Sequence, residues 1–365
     1  MKPAVLLTGA TGFLGMEVLA RLLDEGNREV LALIRASDDA AAQARLDDVL
    51  YTLWEEPGER RSRVRALRGD VTQRNLGLGE RRAEIAEATG AVLHCAASIS
   101  FDLPLDEARA INVDGTSRVL ELASEAQSRG GLERFLHVST AYVAGRREGL
   151  FRERQLDAGQ SFRNSYEQTK AKAEEVVALT RELAPAIARP SIVVGESATG
   201  WTPAFNVLYG PLRAFARGLV DSVPALPHAR VDVVPVDFVA DALLHLLGRR
   251  EAGVFNLVAG REAVTVAELI ELAADWFERP RLILEEPDEA PADDEDPNSV
   301  YVPYFDMDMI FDDVRSRALL RPVGIAPPPL REYFATLMAY AERARWGKRP
   351  LRREEALQVA APAAA

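Results

Sequence analysis

Residues 8–15 read Thr-Gly-Ala-Thr-Gly-Phe-Leu-Gly, directly after the apolar run Ala4-Val5-Leu6-Leu7. No other feature of the chain constrains its fold as much. A short buried strand runs into a glycine-rich turn that opens a helix over Phe13 to Asp24. Such a turn sets backbone N–H groups and a helix N-terminus against a pyrophosphate. In this reading Gly9 makes the tight turn, Gly12 lets phosphates approach and Gly15 lets the helix pack on the sheet. Thr11, Phe13 and Leu14 complete the loop. The spacing is Gly-x-x-Gly-x-x-Gly, not the Gly-x-Gly-x-x-Gly of the common dinucleotide fingerprint.

Downstream, apolar β-branched runs alternate with helical patterns. Strands are expected at 3–8, 29–34, 63–68, 90–95, 132–138 and 186–193. Helices are expected at 12–25, 39–55, 80–88, 105–128, 162–183, 204–219, 237–248 and 265–277. This alternation predicts an α/β fold, a doubly wound parallel sheet covered by helices on both faces. After about residue 195 the character changes, and a smaller, mostly helical C-terminal lobe is expected. The nucleotide-binding domain is placed at 1–195 with roughly 230–260. The substrate lobe is placed at 196–229 and 261–350, and 351–365 is read as a flexible tail. Residues 285–297 are acidic and proline-rich and read as an exposed loop.

Bulk composition excludes several classes. The net charge of −12 argues against a nucleic-acid partner. Cys95 is the sole cysteine, so no intrachain disulfide can form, and four scattered histidines with one cysteine give no metal cluster. Met1-Lys2 leads at once into a strand, which leaves no room for a signal peptide. A cytoplasmic location is expected.

In a dinucleotide fold the tip of the second strand meets the adenosine ribose. A carboxylate there accepts from the ribose hydroxyls, and an arginine favours a 2′-phosphate. Here Val30-Leu31-Ala32-Leu33-Ile34 is followed by Arg35, with Asp38 and Asp39 only later. NADPH is therefore preferred, with NADH left open. Asp70 and Val71, after the third strand, are set to meet the adenine edge; a turn aspartate is the plainer reading of Asp70. Tyr166 and Lys170 lie four apart, one turn from each other on a helix face. A nearby ammonium would lower the phenol's pKa and suit it to proton transfer. Upstream, Phe135-Leu136-His137-Val138-Ser139-Thr140 is a buried strand ending in hydroxyls.

These segments, with Gly69-Asp70-Val71, His94-Cys95-Ala96-Ala97-Ser98, Ile111-Asn112-Val113-Asp114-Gly115-Thr116 and Arg189-Pro190-Ser191, follow one another as in a known family. The chain resembles an extended short-chain dehydrogenase/reductase, with a Rossmann fold, over residues 1 to about 260. The resemblance implies a catalytic hydroxyl, tyrosine and lysine: Thr140, with Ser139 its nearest rival, Tyr166 and Lys170. It implies cofactor contacts from Ala96, Ala97, Tyr166, Lys170, Pro190, Ser191 and Ile192. It gives Asn112 a place in the cofactor site as support for the active-site helix or as a proton relay, beside a purely structural reading. The segments Asn164 to Glu174 and Arg189 to Trp201 are similar to the thioester-reductase and fatty acyl-CoA reductase branch, the male-sterility type. That branch implies NADPH-dependent reduction of a hydrophobic acyl thioester, CoA-bound or on an acyl carrier protein, to an aldehyde or alcohol. The rival readings are a ketone, aldehyde or sterol-type alcohol dehydrogenase, a nucleotide-sugar epimerase or dehydratase, and a silent NADP(H)-binding regulator. A homodimer is a family expectation.

Ser98, Trp201, Phe205 and Tyr209 are the candidates for the substrate pocket. The stretch Trp201 to Val220 reads as an acyl channel, as a seat for peripheral membrane contact, or as plain core packing. Tyr301-Val302-Pro303-Tyr304-Phe305 is either a cap on an apolar pocket or a satellite core. Arg213 and Arg217 share a helix face that would meet phosphates or simply water.

Overall fold

The computed structural model describes residues 3–157, 159–205, 207–286, 304, 305 and 307–360. Seven strands form one sheet: β1 (Ala4–Thr8), β2 (Val30–Ile34), β3 (Val64–Arg68), β4 (Thr89–His94), β5 (Arg134–Val138), β6 (Ala186–Pro190) and β7 (Gly253–Leu257). Their spatial order is β7-β6-β5-β4-β1-β2-β3, and every pairing is parallel. Parallel neighbours need crossover helices on the sheet faces, so strand residues are buried on both sides. In β1 the alternation is explicit. Val5 and Leu7 face the layer of helices α1 (Phe13–Asp24), α2 (Asp39–Leu53) and α8 (Val236–Leu247). Ala4 and Leu6 face the layer of α3 (Arg82–Ala88), α5 (Asp114–Arg129) and α6 (Ser165–Leu179).

The chain leaves β1 toward β2 and β3, then returns to β4 on the other side. Strand order thus reverses at β1/β4, and a crevice opens beyond their C-terminal ends. The doubly wound sheet of the sequence reading is present, with one strand more than expected. The Gly253–Leu257 edge strand is opened by Gly253 and interrupted by Asn256, so it does not read as an apolar run.

A second core packs α7 (Tyr209–Ala216), α9 (Val266–Phe277) and α11 (Leu330–Arg343) with short strand pairs. It also draws in Ala141–Ala144 and Phe151 from the first half of the chain. Within it Ile192–Val194 pairs with Val233–Pro235, and Met309–Phe311 with Gly149–Phe151.

Four sequence expectations change. The strand foreseen at 186–193 divides at Ser191, because Pro190 closes β6 and Ile192 turns to the other sheet pair. The helix foreseen at 204–219 shortens to Tyr209–Ala216. Thr202 exchanges hydrogen bonds with the backbone of Ala204, and Gly218 takes φ +66 beyond the other end. The helix foreseen at 105–128 is two, α4 (Leu105–Asn112) and α5, divided at Val113. The expected flexible tail is ordered through Ala360: Arg353–Ala360 forms helix α12, and Arg353 binds both Glu17 and Glu196. The acidic stretch 287–297 and Tyr301, Val302 and Pro303 lie outside the described residues. Among those described, no helix is long and apolar enough to cross a membrane.

Candidate active site

The crevice floor is the turn between β1 and α1. Gly9 sits at φ +78, in the left-handed region that favours glycine, and a Cβ there would stand 2.7 Å from the amide nitrogen of Ala96. A Cβ on Gly15 would stand 1.9 Å from the carbonyl oxygen of Gly9. The protein itself therefore requires both glycines. Gly12 differs, since its Cβ would meet only the Gly9 oxygen, at 3.4 Å. It is the N-cap of α1 and offers no side-chain acceptor to the first N–H groups of that helix. Bare amides, a positive helix end and open space above Gly12 fit a pyrophosphate.

The cleft above this floor encloses about 1000 Å³ and opens to solvent. Ala96, Ala97 and Ser98 form one wall, Asp70 and Val71 another, and Arg35 stands at the rim. Arg45, which the sequence reading missed, joins Arg35 there: it reaches across from α2 to the Arg35 carbonyl and, at 3.5 Å, to the Thr11 hydroxyl. Neither arginine has a carboxylate partner among the described residues. The nearby acids are engaged: Asp38 caps α2 by accepting from Ala41 N–H, and Asp39 pairs with Arg68 and Arg81. The Asp70 carboxylate holds its own turn, accepting from the amide and hydroxyl of Thr72. Phe13 and Leu14 pack half-buried against the core beneath α1.

Asn112 is fully engaged in holding two elements to the cleft. Its Oδ1 accepts from Ser98 N–H at 2.8 Å, and its Nδ2 donates to the Ser98 carbonyl at 3.1 Å and to the Thr169 hydroxyl at 2.9 Å. Thr169 lies on α6, the helix of Tyr166 and Lys170, so Asn112 ties the cleft wall to that helix.

Beyond the end of β5, Thr140 lies beside Tyr166 and caps the following turn by accepting from Tyr142 N–H. Its neighbour Ser139 is buried with no partner for its hydroxyl among the described residues. Lys170 is buried and donates from Nζ to the Val138 carbonyl at 2.7 Å. Burial lowers its pKa to about 8, opposed by the charge of Glu174 and by Cys95. Burial pushes Tyr166 up to about 12, opposed by the Thr140 hydrogen bond and reinforced by Glu167. The expected lowering of the phenol by the lysine is therefore not what this arrangement gives. Desolvation outweighs it, and Tyr166 rests as the protonated acid. Arg189 and Glu174, both buried, form a forked pair that fixes α6 against β6. Pro190, Ser191 and Ile192 are buried at the end of β6, where Ser191 N–H donates to the Leu257 carbonyl.

The other pocket candidates separate from this site. Trp201 is completely buried, and its indole N–H donates to the Leu351 carbonyl at 3.1 Å. The Tyr209 hydroxyl, also buried, accepts from Gly195 N–H. Phe205 stacks on Tyr340 and meets Tyr209 edge-on. All three are core contacts under α11; only Ser98 borders the cleft. The apolar cavity instead lies between α7 and α9, lined by Leu212, Phe215, Leu269, Ile270 and Phe305 among others. Arg213 lies on α7 and Arg217 at its C-cap, both without carboxylate partners among the described residues. No group of three or more metal-binding side chains occurs among the described residues.

The model of the male sterility protein family, an NAD-binding family, matches residues 7–243. The chain belongs to that family. It is 33% identical over 277 residues to fatty acyl-CoA reductase 1 of Pongo abelii, covering 66% of this chain and 53% of that protein. It is 35% identical over 285 residues to an isonitrile lipopeptide synthase of Streptomyces coeruleorubidus, covering 75% of this chain and 18% of that one. The chain thus spans about half the length of the fatty acyl-CoA reductases it matches. In fold it is similar to the terminal R domain of a myxalamid biosynthetic pathway, with a TM-score of 0.79 at 24% identity over 95% of this chain and 92% of that one. An epimerase for UDP-glucuronic acid from Bacillus cereus shares the fold with a TM-score of 0.67 at 17% identity, covering 94% of this chain and 98% of that one.

Proposed function

We propose that this male sterility family member is an NADPH-dependent reductase of a hydrophobic acyl thioester, yielding an aldehyde and, after a second reduction, an alcohol. The observation that carries this reading is Thr140 beside Tyr166, with buried Lys170 one helical turn on, beyond a pyrophosphate-fitting glycine turn. The relatives named as fatty acyl-CoA reductases support the substrate class. Arg35 and Arg45, free of carboxylates at the rim, support the 2′-phosphate of NADPH over NADH.

When bound in the cleft, NADPH would supply the hydride that reduces the thioester carbonyl carbon. Thr140 and Tyr166 hydrogen-bond the carbonyl oxygen and stabilise the negative charge that develops there. Tyr166, protonated at neutral pH, gives that oxygen its proton as general acid. Lys170 anchors the back of the site through Val138. The resulting hemithioacetal breaks its C–S bond, releasing thiol and aldehyde. The apolar cavity between α7 and α9 supports a hydrocarbon chain as the rest of the substrate. The thiol carrier is coenzyme A or an acyl carrier protein, and the test addresses both.

The experiment is NADPH consumption with a long-chain acyl-CoA, the same acyl group on a carrier protein, a free aldehyde and a ketone. Consumption with either thioester, giving aldehyde or alcohol, is expected. Activity confined to the aldehyde or ketone would replace this reading with that of a carbonyl reductase.

A further inference from the structure

Glu167 follows Tyr166 in the chain and has no exposed surface at all. A buried carboxylate survives only with strong partners. It accepts from the backbone N–H of Arg163 at 3.0 Å, from the Arg163 guanidinium at 3.4 Å and from the Tyr304 hydroxyl at 2.8 Å. Arg163 is held in turn by the Gly145 carbonyl. Tyr304 arrives from 137 residues away, out of the C-terminal half of the chain. Its hydroxyl also accepts from Asn164 Nδ2 at 2.9 Å, and Asn164 caps α6 by accepting from Glu167 N–H. One phenol thus closes the first turn of the helix that carries Tyr166.

The ring of Tyr304 makes a second set of contacts. It stacks on Phe101 with centroids 5.5 Å apart and meets Tyr142 edge-on at 5.0 Å. Phe101 lies 5.8 Å from the Tyr166 ring. Tyr166 is therefore held at its ring by Phe101 and at its backbone by the capped turn, with Thr140 beside it. Tyr304 stands behind both the ring contact and the turn.

We propose that Tyr304 and Glu167 are positioning residues for Tyr166, so that docking of the C-terminal segment onto α6 completes the catalytic geometry. This rests on the assignment of Tyr166 as proton donor in the function proposed above. Packing alone would be served equally by phenylalanine at 304; the hydroxyl has a reason only through Glu167 and Asn164. The Glu167 charge also helps keep the Tyr166 phenol protonated. The other polar groups facing Tyr166 are Thr140 and Tyr142, with Lys170 one turn along.

The test is a double-mutant cycle on the full chain with Tyr304→Phe and Tyr166→Phe. It is run with whichever carbonyl compound the wild type reduces, so a failed thioester reading does not sink it. Tyr304→Phe is expected to lower kcat about tenfold with cofactor affinity unchanged. In the Tyr166→Phe background the same change is expected to have no further effect, because its route runs through Tyr166. A loss of equal size in both backgrounds, or a kcat within about twofold of wild type, overturns the proposal. A readout free of turnover accompanies it: the ring resonance of carbon-labelled Tyr166, assigned by its absence in Tyr166→Phe. It is expected to shift or broaden in Tyr304→Phe and in Glu167→Gln. A resonance unmoved in both variants also overturns the proposal. Glu167→Gln retains the capping geometry, and if it fails to fold, the Tyr304→Phe spectrum decides.

Discussion

Two opposing influences meet at Tyr166. Burial favours the neutral phenol, while the Thr140 hydrogen bond favours the phenolate, and burial prevails. Tyr166→Phe is expected to lower turnover by about 10²–10⁴ and leave NADPH binding intact, measured by steady-state rates and cofactor titration. At the rim, Arg35→Ala and Arg45→Ala are each expected to weaken NADPH binding about tenfold while NADH affinity stays level, since only NADPH carries the 2′-phosphate. A third expectation concerns His94, held between the hydroxyls of Thr8 and Thr116. Burial, with Lys170 nearby, drops its pKa from 6.5 to about 3. Protonation then favours the unfolded chain, so stability is lost as pH falls from 6.5 toward 3, by about 1.4 kcal/mol per pH unit. Asp232, raised by burial to about 6, works the opposite way between 6 and its ordinary 3.8. Comparison with His94→Gln isolates the histidine: the variant's deficit in melting temperature is expected to shrink as pH falls from 7 to 5. At this scale the sequence revealed residues whose spacing is local, such as Gly9 to Gly15 and Tyr166 to Lys170. It hid those that reach the site from afar. Arg45 looks like any helix arginine until α2 folds beside Arg35, and Tyr304 lies 138 residues beyond Tyr166.

Among the elements, the turn between β1 and α1 divides its glycines by what crowds them. Gly15→Ala puts a Cβ into the Gly9 carbonyl, so loss of folded protein is expected, visible as a fall in soluble yield and melting temperature. Gly12→Ala meets no such obstacle and is expected to melt within a few degrees of wild type. Its new methyl group fills the space above the helix end, and NADPH affinity is expected to fall by tenfold or so. Titration of cofactor against both variants checks the contrast. Strands β1 and β2 were legible because residues buried on both faces read as unbroken apolar runs, like Val30 to Ile34, and edge strand β3 because Val64, Ala66 and Leu67 still pattern it. Strand β7 was not, since Asn256 interrupts it and Gly253 opens it. Helix α11 was overlooked although Leu330, Phe334, Leu337 and Ala341 line one buried face.

Across the whole molecule, the C-terminal segment is fastened to the first core by polar contacts as well as apolar ones. Arg353 bridges Glu17 of α1 to Glu196, two buried carboxylates, and Trp201 hydrogen-bonds the Leu351 backbone. Arg353→Met is expected to destabilise the fold by about 1–3 kcal/mol, read from denaturant unfolding, because Glu196 is left buried without its cation. Glu17 retains Arg21. No local pattern announced this clasp; its partners lie 336 and 157 residues apart in sequence.

That separation matters on the ribosome. Glu17 leaves the ribosome 336 residues ahead of Arg353, which follows it only after roughly 15–70 seconds of synthesis. For that interval the nascent chain carries a half-neutralised acid inside α1 and an indole whose acceptor has not been made. Neither contact can close until the segment carrying Leu351 and Arg353 has been made.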